Sequence, residues 1–173
     1  FIDAEDYIKT EELSEKLGVS QSTINNDLKE VRKTLKEYGL KIVFRQRYGL
    51  KLVGEERHIR KLMVDLWTEY VYDYSDVKSK SHEHGKRNSL GIRKFMDNLL
   101  DDIDIPFIEN MVNIMEKKVG VDYSDVAYAN IVAHICVSLM RIIKGRYVDL
   151  ELEDKNIVYT REYAVVRDLV EIV

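Results

Sequence analysis

A chain of 173 residues with 45% hydrophobic content is long enough for one domain or two small ones with genuine cores. The net charge of -4 argues at first against a polyanionic partner, and the single cysteine, Cys136, rules out an internal disulfide. No apolar run reaches membrane-spanning length and nothing resembles a secretory signal, so a cytoplasmic location without membrane contact is expected.

In chain order, Thr10 reads as a hydroxyl cap, followed by Glu11 and Glu12 at a helix N-terminus and by the apolar Leu13 and Leu17. Gly18 stops that helix and Ser20 caps the next. From Ile24 onward, Leu28, Val31 and Leu35 recur at helical spacing and define one apolar stripe. At roughly 100° per residue, Gln21, Ser22, Asn25, Lys29, Arg32, Lys33 and Lys36 gather on one flank, and Asp27, Glu30 and Glu37 on the other. A helix lying in a DNA major groove needs this sorting, with polar base readers near its N-terminus and cations towards phosphates. Gln21, Ser22, Asn25 and Asn26 are the candidate readers, and Lys29, Lys33 and Lys36 the candidate phosphate partners. A charged surface helix with ordinary i,i+4 pairing is the competing explanation at this point.

Lys41 to Val53 alternates apolar and polar residues around a tip of Arg45, Gln46, Arg47, Tyr48 and Gly49, as a hairpin does. Its cationic tip suits a wing whose Arg45 and Arg47 follow the DNA backbone or enter a minor groove, with Tyr48 stacking or packing. The charge balance supports a double-stranded DNA partner once the chain is divided. Residues 1–62 hold 13 Lys and Arg against 11 Asp and Glu, leaving 14 against 20 in the remainder. Within residues 20–52 the ratio is 8 to 3, so the local field is positive.

The second part opens near His58, where Ile59, Leu62, Met63, Leu66 and Trp67 continue a helical stripe towards Tyr70. Ser75 to Gly91 reads as a loop; its His82 and His84 are two ligands without a third, so no metal is expected there. Helices are predicted from about Ile92 to Leu100, Pro106 to Lys118 and Ser124 to Ile143, with Pro106 in a first turn. In the last of these, apolar residues cover most of the circumference, which places it in a bundle interior with Cys136 as an inert buried thiol. Asn130, His134, Ser138 and Arg141 project as one polar strip along it. Such a strip either makes hydrogen bonds between helices or borders an accessible cleft.

The run LSEKLGVSQSTINNDLKEVRKTLKEYGL, followed by YGLKLVGEERHIRKLM, resembles the second winged helix-turn-helix of bacterial transcription regulators carrying phosphotransferase-system regulation domains (PRDs), the mannitol and lichenan operon activators among them. It departs from many relatives at Gln21 and Ser22, where they carry Arg after the Val-Ser turn. The segment YANIVAHICVSLMRIIKG resembles the first conserved segment of a PRD, in which a His precedes an Arg by two helical turns. The resemblance implies that His134 accepts a phosphoryl group from the phosphocarrier protein or an enzyme II component. It implies supporting roles for Arg141, Asn130 and Ser138, and a homodimer.

The resulting expectation is a mainly α chain: a winged helix-turn-helix with a short β-hairpin wing over residues 1–57, its first helix missing, then a helical-bundle PRD over residues 58–173, truncated before a second conserved His. Its expected role is sugar-responsive transcription regulation. An RNA-binding antiterminator of the same family, a virulence-type regulator and a protein-interaction module with a degenerate helix-turn-helix are the alternatives. No Gly-rich phosphate loop, nucleophile elbow or metal triad is visible, so neither catalysis nor a cofactor is expected.

Overall fold

The computed structural model describes residues 2, 4, 6–77, 102–148 and 155–170. The chain divides between Leu62 and Met63 into two compact units. Helix 92–100 and His82 and His84 of the sequence reading lie outside the described residues.

In the first unit, α1 spans Thr10–Leu17 and ends at Gly18, whose φ of 66° is the left-handed geometry that glycine adopts without strain. Thr10 is not its cap: Lys9 occupies that position in extended conformation and makes no side-chain cap hydrogen bond. A hydroxyl followed by acidic residues fits the first helical position as well as the cap. Helix α2 spans Gln21–Glu37, and here the cap is as expected, with Thr23 N–H donating to Ser20 Oγ at 3.1 Å. Strands β1 (Lys41–Arg45) and β2 (Gly49–Val53) pair antiparallel with Phe44 opposite Leu50 and Ile42 opposite Leu52.

Burying a leucine-sized side chain contributes about 1.5–3 kcal/mol, and the small core here gathers Ile24, Leu28 and Leu50, with Leu13 and Ile42 packed against it. Two positions of the expected stripes lie outside: Leu17 is 65% exposed and Val31 40%. Both keep the spacing of their stripes, so angle alone does not decide depth. Residues before α1 join the hairpin, since Ile8 and Leu50 exchange backbone hydrogen bonds of 2.8 Å in each direction. Gly49 is required beside this bridge, because its φ is 112° and a Cβ there would collide with the Ile8 carbonyl.

Helix α3 spans Glu56–Val77, so it begins two residues before His58 and takes up Ser75, which the sequence reading assigned to a loop. The second unit continues with α4 (Ile105–Val119), α5 (Asp125–Ile143), a 3-10 turn (Lys155–Tyr159) and α6 (Arg161–Val170). Asp104 Oδ1 accepts from Phe107 N–H at 3.0 Å, Pro106 sits in the first turn, and Ser124 Oγ accepts from Ala127 N–H at 3.3 Å.

Helices α4 and α5 pack together, burying Ile108, Val112 and Val119 of one and Val132, Ala133, Cys136, Val137 and Met140 of the other. Tyr128 Oη donates to the Glu109 carbonyl at 3.1 Å, which ties the two helices near one end. Arg161 Nη2 donates to the Lys118 carbonyl at 2.9 Å and fastens α6 to the C-terminus of α4, where a cation complements the helix dipole. The expected all-round burial of α5 is not found: Leu139, Ile142 and Ile143 are exposed. By length and composition α5 is apolar enough to cross a membrane, contrary to the sequence reading. Its packing on α4 and its buried Arg141 fit a core helix instead.

Candidate DNA interface and phosphoryl acceptor

The apolar side of α2 turns inwards through Ile24, Leu28 and Leu35, which directs the opposite side outwards. Gln21, Ser22, Asn25, Asn26, Lys29, Arg32, Lys33 and Lys36 are all exposed. They are not equally free. Ser22 Oγ lies 2.7 Å from Ser20 Oγ and shares the capping network with Thr23, so its hydroxyl is partly committed to the helix start. Lys29 Nζ donates to Asn26 Oδ1 at 3.2 Å, which couples a candidate reader to a candidate phosphate partner.

Lys33 pairs with Glu30 at 2.7 Å, with both side chains more than 70% exposed. The acidic flank therefore reaches the cationic one at this point. Exposed pairs of this kind contribute about 0–1 kcal/mol, so a phosphate can displace the carboxylate at little cost. The side chains of Arg32 and Lys36 make no hydrogen bond or ion pair among the described residues. Arg32 joins the contact candidates on this flank, and its place in the sequence between Lys29 and Lys36 is the signal for it.

At the wing, Tyr48 N–H donates to the Arg45 carbonyl at 3.0 Å and closes the turn. The Arg45 guanidinium lies 4.2 Å from the centre of the Tyr48 ring, a cation–π contact. Tyr48 in turn meets Tyr7, with ring centres 6.0 Å apart and planes tilted by 56°, and Lys51 Nζ lies 5.7 Å from the Tyr7 ring. Arg47, by contrast, has no partner among the described residues and holds a φ of 68°. That conformation costs a non-glycine residue about 1–2 kcal/mol, and Arg47 is the one non-glycine residue in it among those described. The Tyr7 contact and the Ile8 bridge had no periodic signal in the sequence.

On α5 the polar strip exists, but its members lie at different depths. His134 is exposed, Asn130 and Ser138 are half-buried, and Arg141 is 4% exposed. Among the described residues the imidazole has no hydrogen bond to Asn130, Ser138 or Arg141, and Arg141 makes interactions of its own. An exposed imidazole offers a nucleophilic nitrogen to an approaching donor. Two residues further on, Cys136 is fully buried, and burial, helped by the nearby Glu109 carboxylate, pushes its thiol up to about 11. It is an inert neighbour.

Residues 1–67, which hold α1, α2 and the hairpin, match the Mga helix-turn-helix domain, and residues 109–173, which hold the His134 strip, match the PRD domain. An Mga helix-turn-helix domain followed by a PRD domain supports a PRD-containing transcription regulator. This PRD-containing chain is 28% identical over 171 residues to a protein of Bacillus subtilis (strain 168) described as a probable licABCH operon regulator. The match covers 96% of the chain but 24% of that relative, so the chain spans about a quarter of the relative's length. No solved structure matches it.

Proposed function

We propose that the chain is the DNA-reading and phosphoryl-sensing part of a cytoplasmic regulator of sugar uptake and utilisation genes. The α2 face and the wing bind duplex DNA, and His134 takes a phosphoryl group from the phosphocarrier protein or an enzyme II component of the phosphotransferase system. The observation that carries this reading is the outward placement of both candidate surfaces. Every polar candidate on α2 is exposed opposite the buried Ile24, Leu28 and Leu35, and His134 is exposed on a helix that buries Cys136, Val137, Met140 and Arg141 beyond it.

In the transfer, the imidazole nitrogen forms a P–N bond as the donor's bond to phosphorus breaks, so His134 needs no cofactor. The product carries about -1.5 to -2 charges where a neutral ring stood. Arg141 is the nearest cation of the strip, one step of two turns along the helix, but it is buried and engaged. Support from its guanidinium requires this buried side chain to turn towards the phosphoryl oxygens. The modification thus acts by drawing on a cation packed within the helical unit. Its consequence is a change in the packing of a homodimer and in the presentation of the DNA-binding elements.

Phosphoenolpyruvate with purified phosphotransferase components labels the chain, and His134→Ala abolishes the label; label retained at full level in that variant defeats the assignment. On promoter DNA, affinity falls steeply with added salt, since each phosphate neutralised contributes a slope of about -0.9 in log–log form. A weak, flat response instead supports a protein-interaction module, a reading that the commitment of Ser22 to the helix cap favours.

A further inference from the structure

The two wing arginines are two residues apart at one hairpin tip, yet the structure treats them differently. Arg45 is laid over Tyr48 at 4.2 Å, and Tyr48 is backed by Tyr7 next to the Ile8–Leu50 bridge. Its guanidinium is held close to the hairpin surface. Arg47 has no such restraint and is exposed, and its backbone adopts a left-handed conformation that glycine or asparagine would occupy with less strain. A strained backbone under an unpartnered cation at the outermost turn is a reason to look for what that cation meets.

We propose that the two residues have separate duties on DNA: Arg47 enters the minor groove and senses its width, and Arg45 stays on the sugar–phosphate backbone, positioned by Tyr48. A narrow A·T-rich minor groove concentrates negative potential and favours an inserted arginine, whereas a phosphate contact is indifferent to sequence. This rests on the DNA-binding reading above and adds to it a specificity determinant outside the major groove.

The probe is a set of duplexes selected on the unaltered chain from a randomised pool, with the base pairs under the wing then changed from A·T to I·C or G·C. Inosine–cytosine pairs lack the guanine amino group in the minor groove while changing the major-groove pattern. The unaltered chain binds the A·T and I·C forms alike and the G·C form about fivefold or more weakly, a typical cost for one unfavourable base pair. Arg47→Gly and Arg47→Lys remove this preference. Arg47→Gly also leaves the melting temperature unchanged or higher, because it relieves the positive φ, so loss of preference cannot be ascribed to unfolding.

Arg45→Ala weakens all three duplexes by one common factor and lowers the salt slope by about 1. Equal loss on all duplexes with Arg47→Gly, or loss of preference with Arg45→Ala, overturns the division. Failure of the unaltered chain to bind any duplex in a salt-dependent way overturns the DNA-binding reading itself, and the division with it.

Discussion

Helices α2 and α5 each carry a polar strip that helical periodicity picks out, and they put it to opposite uses. On α2 the whole strip faces outwards, because Ile24, Leu28 and Leu35 fill a small core on one side and leave the other side uncovered. On α5 the strip straddles the edge of a larger core, so His134 stands outside while Arg141, at nearly the same angle, is buried. The lesson is that periodicity fixes direction around a helix axis, and neighbouring elements fix depth. The α2 strip is exposed along its length, whereas the α5 strip joins an exposed imidazole to a buried arginine.

The sharpest way to break this comparison is to remove the two members of the α5 strip separately. Arg141→Ala removes a long side chain from a buried position and costs about 2–3 kcal/mol, whereas His134→Ala, at an exposed site, changes stability by no more than about 0.5 kcal/mol. Urea unfolding midpoints measure both, and similar losses would show that the two residues share one environment. A next test uses the buried thiol. Folding holds Cys136 neutral up to about 11 against an ordinary 9.0. The unfolded chain therefore ionises first, so stability is unaffected below pH 9 and declines as pH rises from there towards about 11.

The difference in urea stability between the native chain and Cys136→Ala should shrink across that window, by on the order of 2 kcal/mol. A constant difference would contradict it. The smallest effect separates the two helix starts of the first unit. Ser20→Ala removes a side-chain cap from α2 and costs about 1 kcal/mol. Lys9→Asp supplies α1 with the cap it lacks and raises stability by about 0.5–1 kcal/mol. Thermal melts of the two variants should move in opposite directions.

Much of this architecture is legible in the residues because local chemistry and the final packing agree. Gly18 ends α1 in a left-handed turn, Ser20 caps α2, Pro106 opens α4 and Ser124 caps α5, and each acts within one helical turn of itself. The hairpin follows from alternation around Arg45–Gly49. What resists reading is set by distant partners. Leu17 and Val31 have the right spacing for a core but little covers them. Leu139, Ile142 and Ile143 extend an apolar circumference that α4 covers on one side. Glu30 reaches Lys33 across the boundary between flanks because flexible side chains span the arc that separates their backbones. The restraint of Arg45 by Tyr48 and Tyr7 brings together residues that share no repeat.

The Ile8–Leu50 bridge has a further consequence for how the molecule keeps to itself. A two-stranded hairpin has two open flanks, each a template onto which a foreign extended chain can add. Here the β2 flank is occupied at Leu50 by the chain's own leading segment, with Gly49 seated against the Ile8 carbonyl. The β1 flank begins at Lys41 and ends at Arg45, and cations there repel a second copy of the same strand. The wing is thereby closed to indiscriminate stacking while its tip remains open.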